Sequence, residues 1–175
     1  YGRKAGFLVE HYIISSGMRE IIKSTSIADE FKRIYACRYY YDETHTATWP
    51  AQVVNYTAKT QYIFRINKQV LDVNDDADLN KYVPQTERPI PFERMIYIAD
   101  GLTDVPCMRL VKEYGGKSIA VYSSNNAVAK SLKDVGRVNY IAKADYSSGS
   151  EMEQIVQSIL DHMKADEVLK KYEEK

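Results

Sequence analysis

Short apolar runs alternate with helix-length stripes along most of this chain, and that alternation limits the fold more than any other feature. Residues 11–14 (His-Tyr-Ile-Ile), 95–99 (Met-Ile-Tyr-Ile-Ala), 119–122 (Ile-Ala-Val-Tyr) and 138–142 (Val-Asn-Tyr-Ile-Ala) read as buried strands. Residues 103–114 and 127–135 carry helical spacing between them. Pro106 falls in the first turn of its helix, where a missing N–H costs little, and Gly115-Gly116 stops that helix. Met152, Ile155, Val156, Ile159, Leu160 and Met163 share one face of a C-terminal helix, and Ser150 with Glu153 supplies a capping box at its start. Strands separated by helices of this length need crossover connections, which join parallel neighbours. The expected fold class is α/β: a Rossmann-like, mainly parallel sheet with flanking helices.

The rest of the chain is less regular. Met18, Ile21 and Ile22, then Phe31 with Ile34, suggest two short helical pieces. The tyrosine-rich residues 34–41 read as another strand. Residues 42–57 include the single tryptophan, Trp49. A small β-hairpin excursion over residues 39–57 is expected there, either covering a site or packing on the sheet, and packing is the preferred reading. Tyr62, Ile63 and Ile66 give residues 59–68 a helical stripe. Residues 72–78 form an acidic loop that continues past Pro84, Pro89 and Pro91.

With 175 residues, one domain spanning residues 1–175 is expected. The 24 basic and 24 acidic residues cancel, which disfavours nucleic acid as a partner. No apolar run approaches the ~20 residues of a membrane helix, so no membrane partner is expected. Nor does the N-terminus read as an export signal. Two cysteines, Cys37 and Cys107, are too few for a disulfide scaffold and fit a reduced, cytoplasmic setting. Oligomeric state leaves no mark in the sequence. The first residue is Tyr1 rather than Met, so upstream sequence is expected.

Several familiar motifs fail on spacing. Gly116-Lys117-Ser118 ends like a phosphate-binding P-loop, but Val111 replaces its first glycine and a strand follows. No G-x-G-x-x-G occurs. A cysteine phosphatase loop needs arginine six residues after its cysteine, where Glu43 and Glu113 stand. His11, His45 and His162 lack zinc-ligand spacing. Asp72, Asn74 and Asp76 match the odd positions of a calcium loop, but Ala77 replaces its glycine and Val83 its last glutamate. A solvated loop is therefore preferred.

Three pieces survive. Residues 12–14 lead into Ser15-Ser16-Gly17, where a hydroxyl and free helix N-terminal amides would seat a phosphate; serine is equally at home as an N-cap. Lys59 opens a helix, which on its own means little more than a solvated charge. Asp100 and Asp104, in Asp-Gly-Leu-Thr-Asp, flank a turn at the carboxyl end of a strand, where ligands bind in open α/β sheets. Paired carboxylates suit magnesium, which takes one or two and keeps its waters. A turn aspartate followed by a capping aspartate would look the same.

Together the pieces resemble the haloacid dehalogenase-like superfamily, mostly magnesium-dependent phosphohydrolases, and the serine-glycine setting is similar to its phosphoserine phosphatase-like branch. The likeness extends from about residue 9 to residue 150. Its serine motif is matched by Ser15-Ser16-Gly17, its lysine by Lys59, and its acidic loop by Asp100 and Asp104. The D-x-D-x-T/V nucleophile motif of the family's central first strand is absent from residues 1–175. Residues 1–10 look like the end of a helix feeding the following strand. The resemblance thus implies an N-terminally incomplete core whose nucleophile lies upstream.

For the complete protein it implies phosphomonoester hydrolysis through an aspartyl-phosphate. Ser15, Ser16, Gly17 and Lys59 would bind the phosphoryl group of a small phosphorylated substrate, and Asp100 and Asp104 would hold Mg2+. Residues 1–175 alone would be inactive. Two alternatives stand beside it: a non-catalytic binding or regulatory protein on the same scaffold, and an unrelated nucleotide-binding domain in which Asp100 grips a ribose.

Overall fold

Backbone N–H and C=O groups that leave water must be paired. This chain pairs them in two three-stranded sheets, one in each of two compact units. A computed structural model describes residues 1–173; one unit comprises Tyr1–Leu8 and the chain from Ile90 onward, the other Val9–Pro89. The fold class is α/β, with mostly parallel sheets and flanking helices. The opening turn, α1 (Gly2–Ala5), belongs to the first unit.

In the unit of Val9–Pro89, β1 (His11–Met18), β2 (Phe31–Tyr41) and β3 (Ala47–Gln52) lie in the order β1-β2-β3. β1 and β2 are parallel, joined by the short helix α2 (Arg19–Lys23) and a 3₁₀ turn at Ala28–Glu30. β2 and β3 form an antiparallel hairpin within the sheet, turning through residues 42–46. Asp42 closes that turn, its Oδ1 accepting from the backbone N–H groups of Thr44 and Thr46 at 2.9 and 3.0 Å.

Two expectations are corrected here. Phe31 opens a strand rather than a helical piece, because the parallel ladder starts with His11 opposite Phe31. The acidic segment is not uniformly irregular either. It contains the short helix α4 (Asp76–Asn80), capped by Asp75, whose carboxylate accepts from the Asp78 N–H at 3.0 Å.

The helix expected at residues 59–68 forms as α3 (Lys59–Lys68). It buries Tyr62, Ile63 and Ile66, and Tyr62 stacks on Tyr35 of β2 with ring centres 4.4 Å apart. Burial pushes the Tyr35 hydroxyl up to about 12, and that hydroxyl donates to the Leu71 carbonyl at 3.1 Å. α3 also buries a charge. Arg65, 1% exposed, donates to the carbonyls of Asp72, Val73 and Asp75 at 2.6, 3.0 and 3.0 Å and to Asp76 Oδ1 at 2.7 Å. The acidic loop is therefore wrapped around a guanidinium, which satisfies its inward carbonyls as water otherwise would.

The other unit is the more regular. β4 (Ile96–Ala99), β5 (Lys117–Tyr122) and β6 (Tyr140–Lys143) are all parallel, in the order β4-β5-β6. The crossover helices are α5 (Val105–Glu113) and α6 (Ala127–Asp134), followed by α7 (Glu151–Glu173). β5 is covered on both faces: Ala120 packs among Val105, Met108, Ala129 and Leu132, while Ile119 and Val121 pack with Met152 and Ile159 of α7. A central parallel strand reads as a continuous apolar run for this reason. β6 begins two residues later than the apolar run at residue 138 suggested, and Val138 is buried ahead of it.

The helix ends follow the sequence closely. Ser150 Oγ accepts from the Glu153 N–H at 3.2 Å, while Glu153 reaches back to the Gly149 N–H rather than to that of Ser150. Gly115, at φ +92°, ends α5: its N–H bonds the Lys112 carbonyl at 3.1 Å and the Gly116 N–H bonds Val111 at 2.9 Å. No helix among the described residues is long and apolar enough to cross a membrane.

Two outcomes follow from these buried charges. Arg65→Leu strips the loop carbonyls of their donors and should cost about 3 kcal/mol in urea unfolding, with the loss of protection centred on residues 72–76 in hydrogen exchange. Glu10 is partly buried, which raises its carboxyl, but bonds from Lys32 at 2.5 Å and Tyr12 at 2.6 Å hold it below the ordinary glutamate range. The unfolded chain then binds the extra proton, so this contribution is full above an ordinary glutamate pKa and is lost as pH falls through the folded value. Unfolding measured from pH 6 to pH 3 should accordingly be less pH-dependent in Glu10→Gln than in the wild type.

Candidate functional site

β4 ends at Ala99, and the chain turns at once through Asp100 and Gly101 into a 3₁₀ turn (Leu102–Asp104) that feeds α5. The Asp104 N–H closes the turn on the Gly101 carbonyl at 3.1 Å. The two carboxylates differ in environment. Asp100 is exposed, and among the described residues its side chain makes no hydrogen bond or ion pair. Asp104 is 6% exposed, and its Oδ1 accepts from the Tyr97 hydroxyl at 2.6 Å.

Gly101 is what lets these groups share one turn. A Cβ there would stand 3.3 Å from both Asp104 Oδ2 and Thr103 Oγ1, so the Asp104 carboxylate lies folded back over the glycine. Asp104 therefore does more than cap α5, and it makes no side-chain cap bond to that helix. Tyr97 lies on β4, seven residues earlier. Burial first, then the Cys107 thiol and the bond to Asp104, raise its hydroxyl pKa, so it remains a donor at any physiological pH. Nothing in the sequence marked Tyr97, because a tyrosine in a strand is ordinary and its partner lies in the next element.

A magnesium ion fits this donor set. Asp100 offers oxygens with no competing donor, Asp104 offers a carboxylate oriented by a neighbour, and both are hard ligands. Among the described residues no cluster of three or more His, Cys, Asp or Glu forms. Magnesium asks for fewer.

The unit of Val9–Pro89 holds the other expected residues. Ser15, Ser16 and Gly17 do not open a helix. β1 continues through them to Met18, and α2 begins at Arg19 without a side-chain cap. The ladder is irregular there: Ile14 faces Tyr35 and Met18 faces Cys37, so four steps along β1 match two along β2. The surplus bows out as a bulge, which re-aims side chains at a strand's carboxyl end. The expected seat of free helix amides is thus replaced by a strand bulge with Ser16 and Gly17 exposed. Ser15 is half-buried, and its Oγ accepts from the Gly17 N–H at 3.0 Å. That bond occupies an oxygen lone pair and leaves the hydroxyl proton to donate elsewhere.

Lys59 is the first residue of α3, which packs against β1. It is 5% exposed, an unusual place for an ammonium, since buried charges persist only when compensated. Asn55, another residue the sequence did not single out, fixes the approach: its Oδ1 accepts from Thr57 Oγ1 at 2.7 Å and from the Ala58 N–H at 2.9 Å. An asparagine three or four residues ahead of a helix start is a local cue that could have found it.

Comparison with known proteins adds little chemistry. No protein-family model and no solved structure matches the chain. A curated protein of Borreliella burgdorferi, described as an uncharacterized protein, is 30% identical over 161 residues, covering 82% of this chain and 55% of that protein. The chain thus spans about half the length of this relative.

The Tyr97–Asp104 bond can be tested alone. Tyr97→Phe keeps the ring but removes the phenolic donor to a buried carboxylate, and should lower stability by about 1–3 kcal/mol in urea unfolding. A change within a few tenths of a kcal/mol would mean that water serves Asp104 equally well.

Proposed function

We propose that the protein is a magnesium-dependent phosphohydrolase of the haloacid dehalogenase-like superfamily, cytoplasmic and acting on a small phosphorylated substrate through an aspartyl-phosphate. The proposal puts the D-x-D nucleophile on a strand preceding Tyr1. One observation carries it above the rest: an unengaged, exposed Asp100 and a buried, tyrosine-oriented Asp104 share the turn that leaves a parallel strand. A capping aspartate needs neither burial nor a phenolic partner.

Each residue has a defined task. Asp100 and Asp104, the latter restrained by Tyr97, would hold the cation. When bound, it would supply charge neutralisation of the phosphoryl group toward an anionic nucleophile. Ser15 donates its hydroxyl proton to a phosphoryl oxygen, beside the exposed Ser16 and Gly17 of the bulge. Lys59 supplies positive charge from a position already withdrawn from water, where its field is less screened. Phosphoryl transfer is mostly positioning and charge stabilisation, which suits this division of labour.

Hydrolysis of p-nitrophenyl phosphate, assayed with the protein and the sequence that precedes Tyr1, tests the proposal. Activity should require magnesium and vanish with EDTA. Asp100→Asn and Lys59→Ala should each lower kcat by at least about 100-fold. Because Asp100 is exposed, Asp100→Asn should unfold at the same urea concentration as the wild type. Full turnover in Asp100→Asn would refute the assignment.

A further inference from the structure

The unit of Val9–Pro89 contains a cleft that none of these tasks uses. Its volume is about 260 Å³, and three arginines line it: Arg19 at the start of α2, and Arg33 and Arg38 on β2. Gln52 at the end of β3 and Asn74 of the loop after α3 add polar groups, and Asp72 is the one carboxylate in the lining. Three guanidiniums against that single carboxylate leave two positive charges uncompensated. Asp72 is partly spent, since its Oδ1 accepts from the Asn74 backbone N–H at 2.9 Å and side chain at 3.2 Å.

The arginines themselves lack acceptors. The Nε atoms of Arg19 and Arg38 are shut off from solvent and have no hydrogen-bond partner. Among the described residues no carboxylate pairs with Arg19, Arg33 or Arg38. Arg65 of the same unit also leaves its Nε without a partner, but its four other N–H bonds go to carbonyls and a carboxylate, whereas Arg19 and Arg38 have no such acceptors among the described residues. Arginines that line a polar cleft with a surplus of positive charge and no acceptors of their own call for an anion with several acceptor oxygens. Guanidinium forks match the oxygens of phosphate in pairs.

We propose that this cleft is a binding site for a small divalent oxyanion of the phosphate class, held by Arg19 and Arg38 with Arg33 adding charge. Its volume falls below the roughly 300–1,000 Å³ of pockets that enclose drug-sized ligands, so the ligand is inorganic phosphate or a small phosphoester, not a nucleotide. The site draws only on residues of the Val9–Pro89 unit.

Calorimetric titration at fixed ionic strength and without magnesium tests this, using the Asp100→Asn protein so that phosphoesters stay intact. Inorganic phosphate should bind saturably and chloride should not. Arg19→Gln and Arg38→Gln should each weaken phosphate at least tenfold; the proposal fails if both leave it unchanged, or if no saturable binding occurs. Glycerol phosphate separates the two sources: tighter binding than phosphate identifies a phosphoester, weaker binding the free anion. A second readout needs no variant. Phosphate should protect Arg19 and Arg38 of the wild-type protein from phenylglyoxal, read by peptide mass, and protection of neither would overturn the proposal even if the variants misfold.

Discussion

A parallel ladder forces the chain to leave each strand at one end and return to the opposite end, so every loop that follows a strand emerges on the same edge of its sheet. The rest of this structure depends on that constraint. In the unit built on β4, β5 and β6 it sends the Asp100–Asp104 turn, and the loops after β5 and β6, out of one sheet edge. In the unit built on β1 and β2 it places the Ser15-Ser16-Gly17 bulge at the carboxyl end of β1. Ligand sites in open α/β sheets lie at such edges because the loops there are free to vary while the strands hold them still.

Three buried charges show how the chain compensates what it withdraws from water. Arg65 is enclosed by carbonyls, and its role is architectural: it gives an acidic loop an interior partner. Asp104 receives a tyrosine hydroxyl and keeps its second oxygen over Gly101, an arrangement that orients the carboxylate. Lys59 is buried at the first position of a helix, where the dipole opposes a cation, so helix stability does not account for its being there. A charge withdrawn from water at a position that helix stability does not favour fits a residue kept for its charge rather than for the fold.

Periodicity carried most of the fold. β5 and α6 were legible because each is packed on the faces that its apolar residues mark, and α3 starts and stops where its stripe does. Ser15-Ser16-Gly17 misled because serine and glycine signal a turn, whereas the pairing of Met18 with Cys37 continues the ladder past them. Phe31 misled for a similar reason, its spacing to Ile34 suiting a helix until the partner strand decided otherwise. Asp100, Asp104 and Lys59 could be picked from sequence as candidates, but their unequal burial could not. It depends on Tyr97, which is seven residues from its acceptor, and on packing that no local pattern encodes. Arg19, Arg33 and Arg38 were invisible as a group, since their meeting requires the β1–β2 ladder and its bulge.

A phosphoryl mimic tests the central claim most directly. With the protein, including the sequence that precedes Tyr1, fluorine NMR in the presence of beryllium fluoride should show a bound resonance that requires magnesium and is lost in Asp100→Asn. A bound resonance that forms equally well without magnesium, or that survives Asp100→Asn, would contradict the assignment of the β4 turn as the seat of the cation.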